Sequence, residues 1–208
     1  MSYVPTVSPD SPALPVRKAL MSELDVIARV MARAFSDDVI QQWCMESDDT
    51  VGVIELEMVE VTRELIANGT LWVTNDLSGI AAWMPPGTDY DNDALNEVVV
   101  PALDACHGHA ARQIRFWEWA DSHRPAEPHW YVDVVGVDPD HRGRGLGKLL
   151  LEDGLARLDA IGAAAHLITD KPESVRWYER HGFVTDSVEE APEGGPSVWF
   201  MWRPGARN

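Results

Sequence analysis

Apolar residues recur along the chain at two spacings, and the changes from one to the other mark out alternating helices and strands. Leu24, Ile27, Ala28, Met31, Ala34 and Phe35 repeat every three or four positions. They predict a helix that Ser22 would cap and that runs to about residue 35. Ile54, Met58, Val61 and Leu65 keep the same period over 50–67, and Asn68-Gly69 supplies a stop. Between these helices, 37–45 reads as a short helix or loop. Short apolar runs at 70–74 and 80–84 flank a turn at 75–79, which is a hairpin pattern, and Pro85-Pro86-Gly87 ends it. Two further helices are expected over 89–108 and 110–122. The run 130–137 is apolar almost throughout and reads as a buried strand. Leu146, Leu149, Leu150, Leu151, Leu155 and Leu158 then mark a helix over 146–160. A strand at 165–168 and a helix at 172–181 follow, with Pro172 suited to the first turn and Gly182 to the end. The runs 183–189 and 198–202 suggest a last hairpin, and 16–19 a first strand. Neither a repeat nor a linker interrupts the pattern. The expectation is one domain of mixed α/β (α+β) type over 16–204, after a disordered Pro- and Ser-rich tail at 1–15.

Composition narrows the class. The 208 residues are 45% hydrophobic and 25% charged, as in ordinary globular proteins. No apolar run is long enough for a membrane helix, and 1–15 lacks the apolar core of a signal peptide, so a cytoplasmic location is expected. Cys44 and Cys106 show no metal-ligand spacing and read as free thiols, with no metal implied. The net charge of -17 argues against nucleic acid and anionic membranes as partners. It suits a cationic small molecule, with the chain acting as a monomer or homodimer. Eight acids and no Lys or Arg lie between Asp37 and Glu60. They are either a solvated helix face or a funnel for an amine.

Against that acidic background, the stretch from Val135 to Leu150 stands out. A strand runs into Asp138-Pro139, then Arg142-Gly143-Arg144-Gly145-Leu146-Gly147-Lys148, then a helix. This order aims free backbone N–H groups and the positive end of the helix dipole at one place. Gly143, Gly145 and Gly147 let a ligand approach the backbone. Arg142, Arg144 and Lys148 add positive charge. A phosphate or pyrophosphate site is predicted. It is not a Walker loop, because Leu149 follows Lys148, and its glycine spacing is not that of a dinucleotide fingerprint. A second pattern lies downstream, where Lys171-Pro172-Glu173-Ser174 opens a helix and Trp177-Tyr178-Glu179-Arg180-His181-Gly182-Phe183 closes it.

The segments Arg142-x-x-Gly145-x-Gly147 and Tyr178-Glu179-Arg180-x-Gly182-Phe183 together resemble the two signature segments of the GNAT N-acetyltransferase superfamily. A narrower likeness is to its puromycin N-acetyltransferase group. It rests on Trp72-Val73, Ala81-Ala82-Trp83 with Pro86, His123-Arg124-Pro125 with Glu127-Pro128, the stretch 135–147, Phe183-Val184-Thr185 and Pro192-Glu193-Gly194. The likeness spans about 16–204 and is densest after residue 120. Ile168 stands where those enzymes can carry an acid, Ser174 where the superfamily often has asparagine, and 37–68 shows no clear match.

The resemblance implies a mixed central sheet whose parallel strands, 130–137 and 165–168, splay apart, with helices on both faces and acetyl-CoA in the gap. It implies direct transfer of the acetyl group to the amine of a small molecule. Backbone groups of Val135 and Val137 would hold the pantetheine arm. The amides from Arg142 to Gly147, with Lys148, would hold the pyrophosphate, with Ser174 on the cofactor side. Tyr178 would protonate the leaving thiolate, its ordinary pKa of about 10 keeping it protonated at neutral pH. For the base, Asp133 is an acid in an apolar strand, where unpaired burial is costly. It is a candidate base or ammonium anchor, or else a residue that a bulge or strand edge turns to solvent or a local partner. His129 and Glu118 are the other candidates. Trp43, Trp83, Phe116, Trp117, Trp119, Trp130 and Tyr131 lie in segments able to pack a core or wall a pocket. A protein or peptide N-acetyltransferase, and an acyl-CoA-binding protein without catalysis, are the alternative readings.

Overall fold

The computed structural model describes residues 16–45, 50–90, 97, 100, 101 and 110–206. Seven strands form one sheet in the order β1-β2-β3-β4-β5-β7-β6. They are β1 (Val16–Lys18), β2 (Leu71–Thr74), β3 (Gly79–Met84), β4 (Trp130–Val137), β5 (Ala165–Thr169), β6 (Val184–Glu190) and β7 (Ser197–Arg203). The helices are α1 (Leu24–Ala34), α2 (Val39–Met45), α3 (Thr50–Ala67), α4 (Ala110–Ser122), α5 (Leu146–Ala160) and α6 (Pro172–Glu179). Every neighbouring pair of strands is antiparallel except β4 and β5, which run parallel. The expected mixed sheet with helices on both faces is therefore present. The helix expected over 89–108 falls mostly outside the described residues, as do the tail 1–15 and Cys106.

Side-chain alternation sorts the core into two layers. On β3, Ile80, Ala82 and Met84 face one cluster with Ile27 and Met31 of α1, Ile54 and Leu65 of α3 and Phe116 of α4. Ala81 and Trp83 face the other, with Leu150, Leu151 and Leu155 of α5 and Val175 of α6. The indole of Trp83 is fully buried under α5. A Cβ at Gly154 would fall inside that ring, so the absent side chain sets how closely α5 can approach the sheet.

One expected cap is displaced. Ser22 lies inside a short 3-10 turn, Met21–Glu23, and α1 begins after it. Glu23 stabilises this entry instead, accepting from the Leu20 amide at 3.0 Å and pairing with the Arg17 guanidinium at 2.6 Å. The chain therefore enters α1 from β1 through an ion pair rather than a serine cap.

The β4 strand breaks its own alternation. Ala82 pairs with Val134 but Trp83 pairs with Val132, leaving Asp133 as an extra residue. This is a β-bulge. Its effect on parity is direct: Tyr131 and Val134 belong to one core layer, and Val132 and Val135 to the other. The bulge thus puts Asp133 on the same side as Val134 instead of across the sheet from it.

Candidate active site

The parallel pairing of β4 and β5 is short. Only Trp130 with Ala165 and Tyr131 with His166 are in register. Beyond them the strands part, and a cavity of about 650 Å3 opens in the split. Val135, Gly136 and Val137 line it from β4, and Ile168 and Thr169 from β5. The predicted Val135 and Val137 are thus brought to the gap, along an edge of β4 that has lost its β5 partner.

At one end stands the glycine-rich loop. Pro139–His141 forms a 3-10 turn capped by Asp138, whose side chain accepts from the Asp140 amide at 2.9 Å. Gly143 and Gly145 take positive φ, at 78° and 80°, and Gly145 is the N-cap of α5. A Cβ at either position would meet open space, so the loop's outer surface is bare backbone. Among the described residues, the amides of 143–148 have no backbone acceptor. These are the bare amides that the predicted anion cradle requires. Arg142 and Gly147 line the cavity.

The side-chain cations beside the loop have acceptors within the chain. The Arg142 guanidinium is held by the Asp37 carboxylate at 2.8 Å and the Ala34 carbonyl at 3.0 Å. Lys171 takes the same carboxylate at 3.1 Å. Lys148 lies 3.7 Å from Glu152, and Arg144 is exposed, 3.5 Å from the Asp140 carbonyl. The loop therefore offers backbone amides first, with Arg142 engaged by an acid from the α1–α2 connection.

Two predicted residues of α6 reach the cavity. Ser174, in the first turn, and Tyr178, one turn on, both line it. Tyr178 packs edge-on against Trp177 at 4.8 Å and Phe183 at 5.6 Å. Burial pushes its phenol above the ordinary tyrosine value, so the group carries its proton throughout the neutral range.

The other end of the cavity is acidic. Asp133 faces it from the bulge and accepts a hydrogen bond from the Tyr90 hydroxyl. Burial raises the Asp133 carboxyl above the usual range, and the Tyr90 bond opposes that rise. The strand therefore has both the bulge and the local partner that its sequence left open, and the partner lies inside the cavity. Glu57 and Gln113 face the same space from α3 and α4. The Gln113 amide donates to Glu57, whose carboxyl is pushed up to about 7, chiefly by burial. Asp38 is raised to about 6 by burial and by the nearby Asp170. Asp170 caps α2, accepting from the Val39 and Ile40 amides at 2.8 and 3.0 Å.

The remaining candidates separate cleanly. Glu118 lines the cavity, but His129 does not; it is half-buried and bonds the Glu127 carbonyl at 2.7 Å. Of the singled-out aromatics, Trp117 and Tyr131 wall the cavity, whereas Trp43, Trp83, Phe116, Trp119 and Trp130 pack elsewhere. The acidic run from Asp37 divides: Asp38 and Glu57 face the cavity, while Glu55 and Glu60 pair with Arg29 and Arg63 on the surface. Cys44 is buried with its thiol pushed up to about 12, which makes it a packing residue. Tyr90, Glu57 and Gln113 were not legible as site residues, because a helix-spaced Glu or Gln carries no local mark of the cavity it will face.

The family model for the acetyltransferase (GNAT) family matches residues 70–183, more than half of the chain. The chain belongs to this family. Beyond that match, it is 30% identical over 190 residues to a mycothiol acetyltransferase of Corynebacterium aurimucosum, covering 82% of this chain and 62% of that protein. The chain thus spans less than two thirds of the curated relative's length. Among solved structures, a Corynebacterium glutamicum protein described as histone acetyltransferase HPA2 and related acetyltransferase superposes with a TM-score of 0.68 at 23% identity, covering 93% of this chain and 97% of that one. Arylalkylamine N-acetyltransferase 2 of Aedes aegypti gives 0.62 at 13% identity, covering 91% and 98%. These structural likenesses are of the GNAT fold, and the matched segment holds the bulge, the loop and Tyr178.

Proposed function

We propose that the protein is an acetyl-CoA-dependent N-acetyltransferase acting on a small, positively charged amine. One observation carries this reading. A single cavity runs from the amide-lined loop to a carboxylate-lined end, with Tyr178 and Asp133 both on its wall. The loop amides at 143–148 and the open space over Gly143 and Gly145 fit a pyrophosphate. The unpartnered edge of β4 at Val135 and Val137 fits an extended amide-bearing arm such as pantetheine, with Ser174 across the gap. Lys148 and Arg144 stand beside the loop and lend it positive potential.

Bound acetyl-CoA supplies a thioester carbonyl as the electrophile. The chain's own residues then manage protons. A cationic acceptor is drawn to the acidic end and must become neutral to attack, so Asp133 takes its proton. A carboxylate whose affinity for protons is raised by burial is better matched to that task than an exposed one. Tyr178 holds the proton that a departing sulfur needs, and its burial keeps the proton in place until then. The aromatic wall of the acceptor end, with Trp117 and Tyr131, favours a small molecule over a protein chain.

The relative from Corynebacterium aurimucosum is named mycothiol acetyltransferase, and the narrower sequence likeness is to the puromycin group. Both support a small amine acceptor for this chain. The test is a screen of purified protein and acetyl-CoA against amines, puromycin included, read by thiol release and product mass. Acetylation of a small amine supports the reading. Binding of CoA with no transfer to any amine would instead favour an acyl-CoA-binding protein.

A further inference from the structure

The acceptor end holds two buried acceptor atoms without hydrogen-bond partners among the described residues. Glu57, 6% exposed, receives the Gln113 amide on one carboxyl oxygen, while Oε2 has no hydrogen-bond partner. Gln41, 8% exposed, leaves its Oε1 in the same condition. Both residues line the cavity. They reach it from adjoining helices, α3 and α2, which pack on each other. Buried polar atoms in folded proteins are almost always satisfied, so two in one cavity wall point to a ligand. Both are acceptors, and one is a carboxylate. The complementary group must donate several hydrogen bonds and bring positive charge, which describes an ammonium: three N–H donors on one compact cation.

This ammonium is not the nitrogen that reacts. In the proposed reaction Asp133 of β4, held by the Tyr90 hydroxyl, already serves that position. Arg124, a cation on the cavity wall, is committed to Asp89 at 3.1 Å and Asp121 at 2.8 Å. Among the described residues, no ion pair of Arg124 reaches Glu57. Resting on the function proposed above, we propose that the acceptor is a diamine. One nitrogen is acetylated beside Asp133, and the other remains charged and binds Glu57 and Gln41. Bringing a cation to Glu57 also offsets the cost of burying its charge, which at present holds its carboxyl near 7.

The experiment is a titration of linear diamines, from propane- to hexanediamine, and the matching monoamines into protein saturated with CoA, which has no acetyl group to transfer. The wild-type protein is expected to bind its best diamine at least about tenfold more tightly than the matched monoamine. Glu57→Gln preserves the contact with Gln113 and should abolish that preference. If the variant fails to fold, Gln41→Leu tests the same subsite and should reduce the preference severalfold. Equal binding of diamine and monoamine by the wild type, or a preference that survives both substitutions, overturns the proposal. Turnover with acetyl-CoA is measured separately. Failure to acetylate any amine counts against the enzyme reading, whereas the binding comparison decides the diamine subsite by itself.

Discussion

A phenol packed between Trp177 and Phe183 holds its proton to higher pH than tyrosine in water. If Tyr178 is the acid, Tyr178→Phe should lower kcat by roughly a hundredfold and leave the dissociation constant of CoA nearly unchanged. Wild-type turnover in that variant would remove Tyr178 from the mechanism. The same residue scale contains a trade between site and stability. Glu57 has a folded-state pKa of about 7, above the ordinary glutamate value of about 4.3. The folded state therefore binds more protons than the unfolded state between those values, and stability falls as pH rises through that window. Glu57→Gln removes this dependence. Its stability relative to wild type should grow from pH 4 to pH 8 by on the order of 2–4 kcal/mol, read as denaturant midpoints across pH. A difference that stays flat with pH would show that Glu57 is ionised in the folded protein without cost. Tyr178 was legible from its motif, and Asp133 from its presence in an apolar strand. Glu57 was visible only as one of eight acids, because which face of α3 meets the cavity depends on how α2 and α4 pack against it.

At the level of elements, three local devices shape the site. The bulge at Asp133 changes the parity of β4, and a sequence reading by strict alternation would place Asp133 on the opposite face from Val134. The left-handed turn at Gly145 starts α5 with its amides uncovered. Gly145→Asp adds backbone strain and a negative charge where an anion should bind, so CoA affinity should fall at least about tenfold by calorimetry, an energy of about 1.4 kcal/mol. Unchanged affinity would count against the loop as the cofactor's seat. The third device is Gly154, where the Trp83 indole occupies the space a methyl group would need. Gly154→Ala should force α5 away from the sheet and cost about 1–3 kcal/mol of unfolding free energy. A near-neutral midpoint would mean that the Trp83 ring can shift. Nothing local in the leucine-rich helix marks this glycine, since only the partner ring makes its lack of a side chain matter.

For the molecule as a whole, the order of strands and helices could be read from apolar spacing, and the splayed pair from the family likeness. The join between the two halves of the sheet could not. Asp37, in the connection from α1 to α2, grips Arg142 from the loop after β4 and Lys171 from the loop after β5. Those cations lie 29 residues apart in sequence by their numbering, so no local pattern announces the contact. Each ion pair is partly exposed and worth little to stability, yet together they fasten the lips of the split at the end that holds the glycine-rich loop. An arriving anion must compete with Asp37 for the same two cations. Asp37→Asn should therefore strengthen CoA binding at low salt, with the advantage shrinking as salt rises, and titrations at two ionic strengths would show it. Weaker binding in the variant would mean that Asp37 holds the cations in place for the ligand. If binding strengthens, a carboxylate that does no chemistry is a built-in rival to the phosphate, and it would set how readily the chain surrenders its product before taking the next donor.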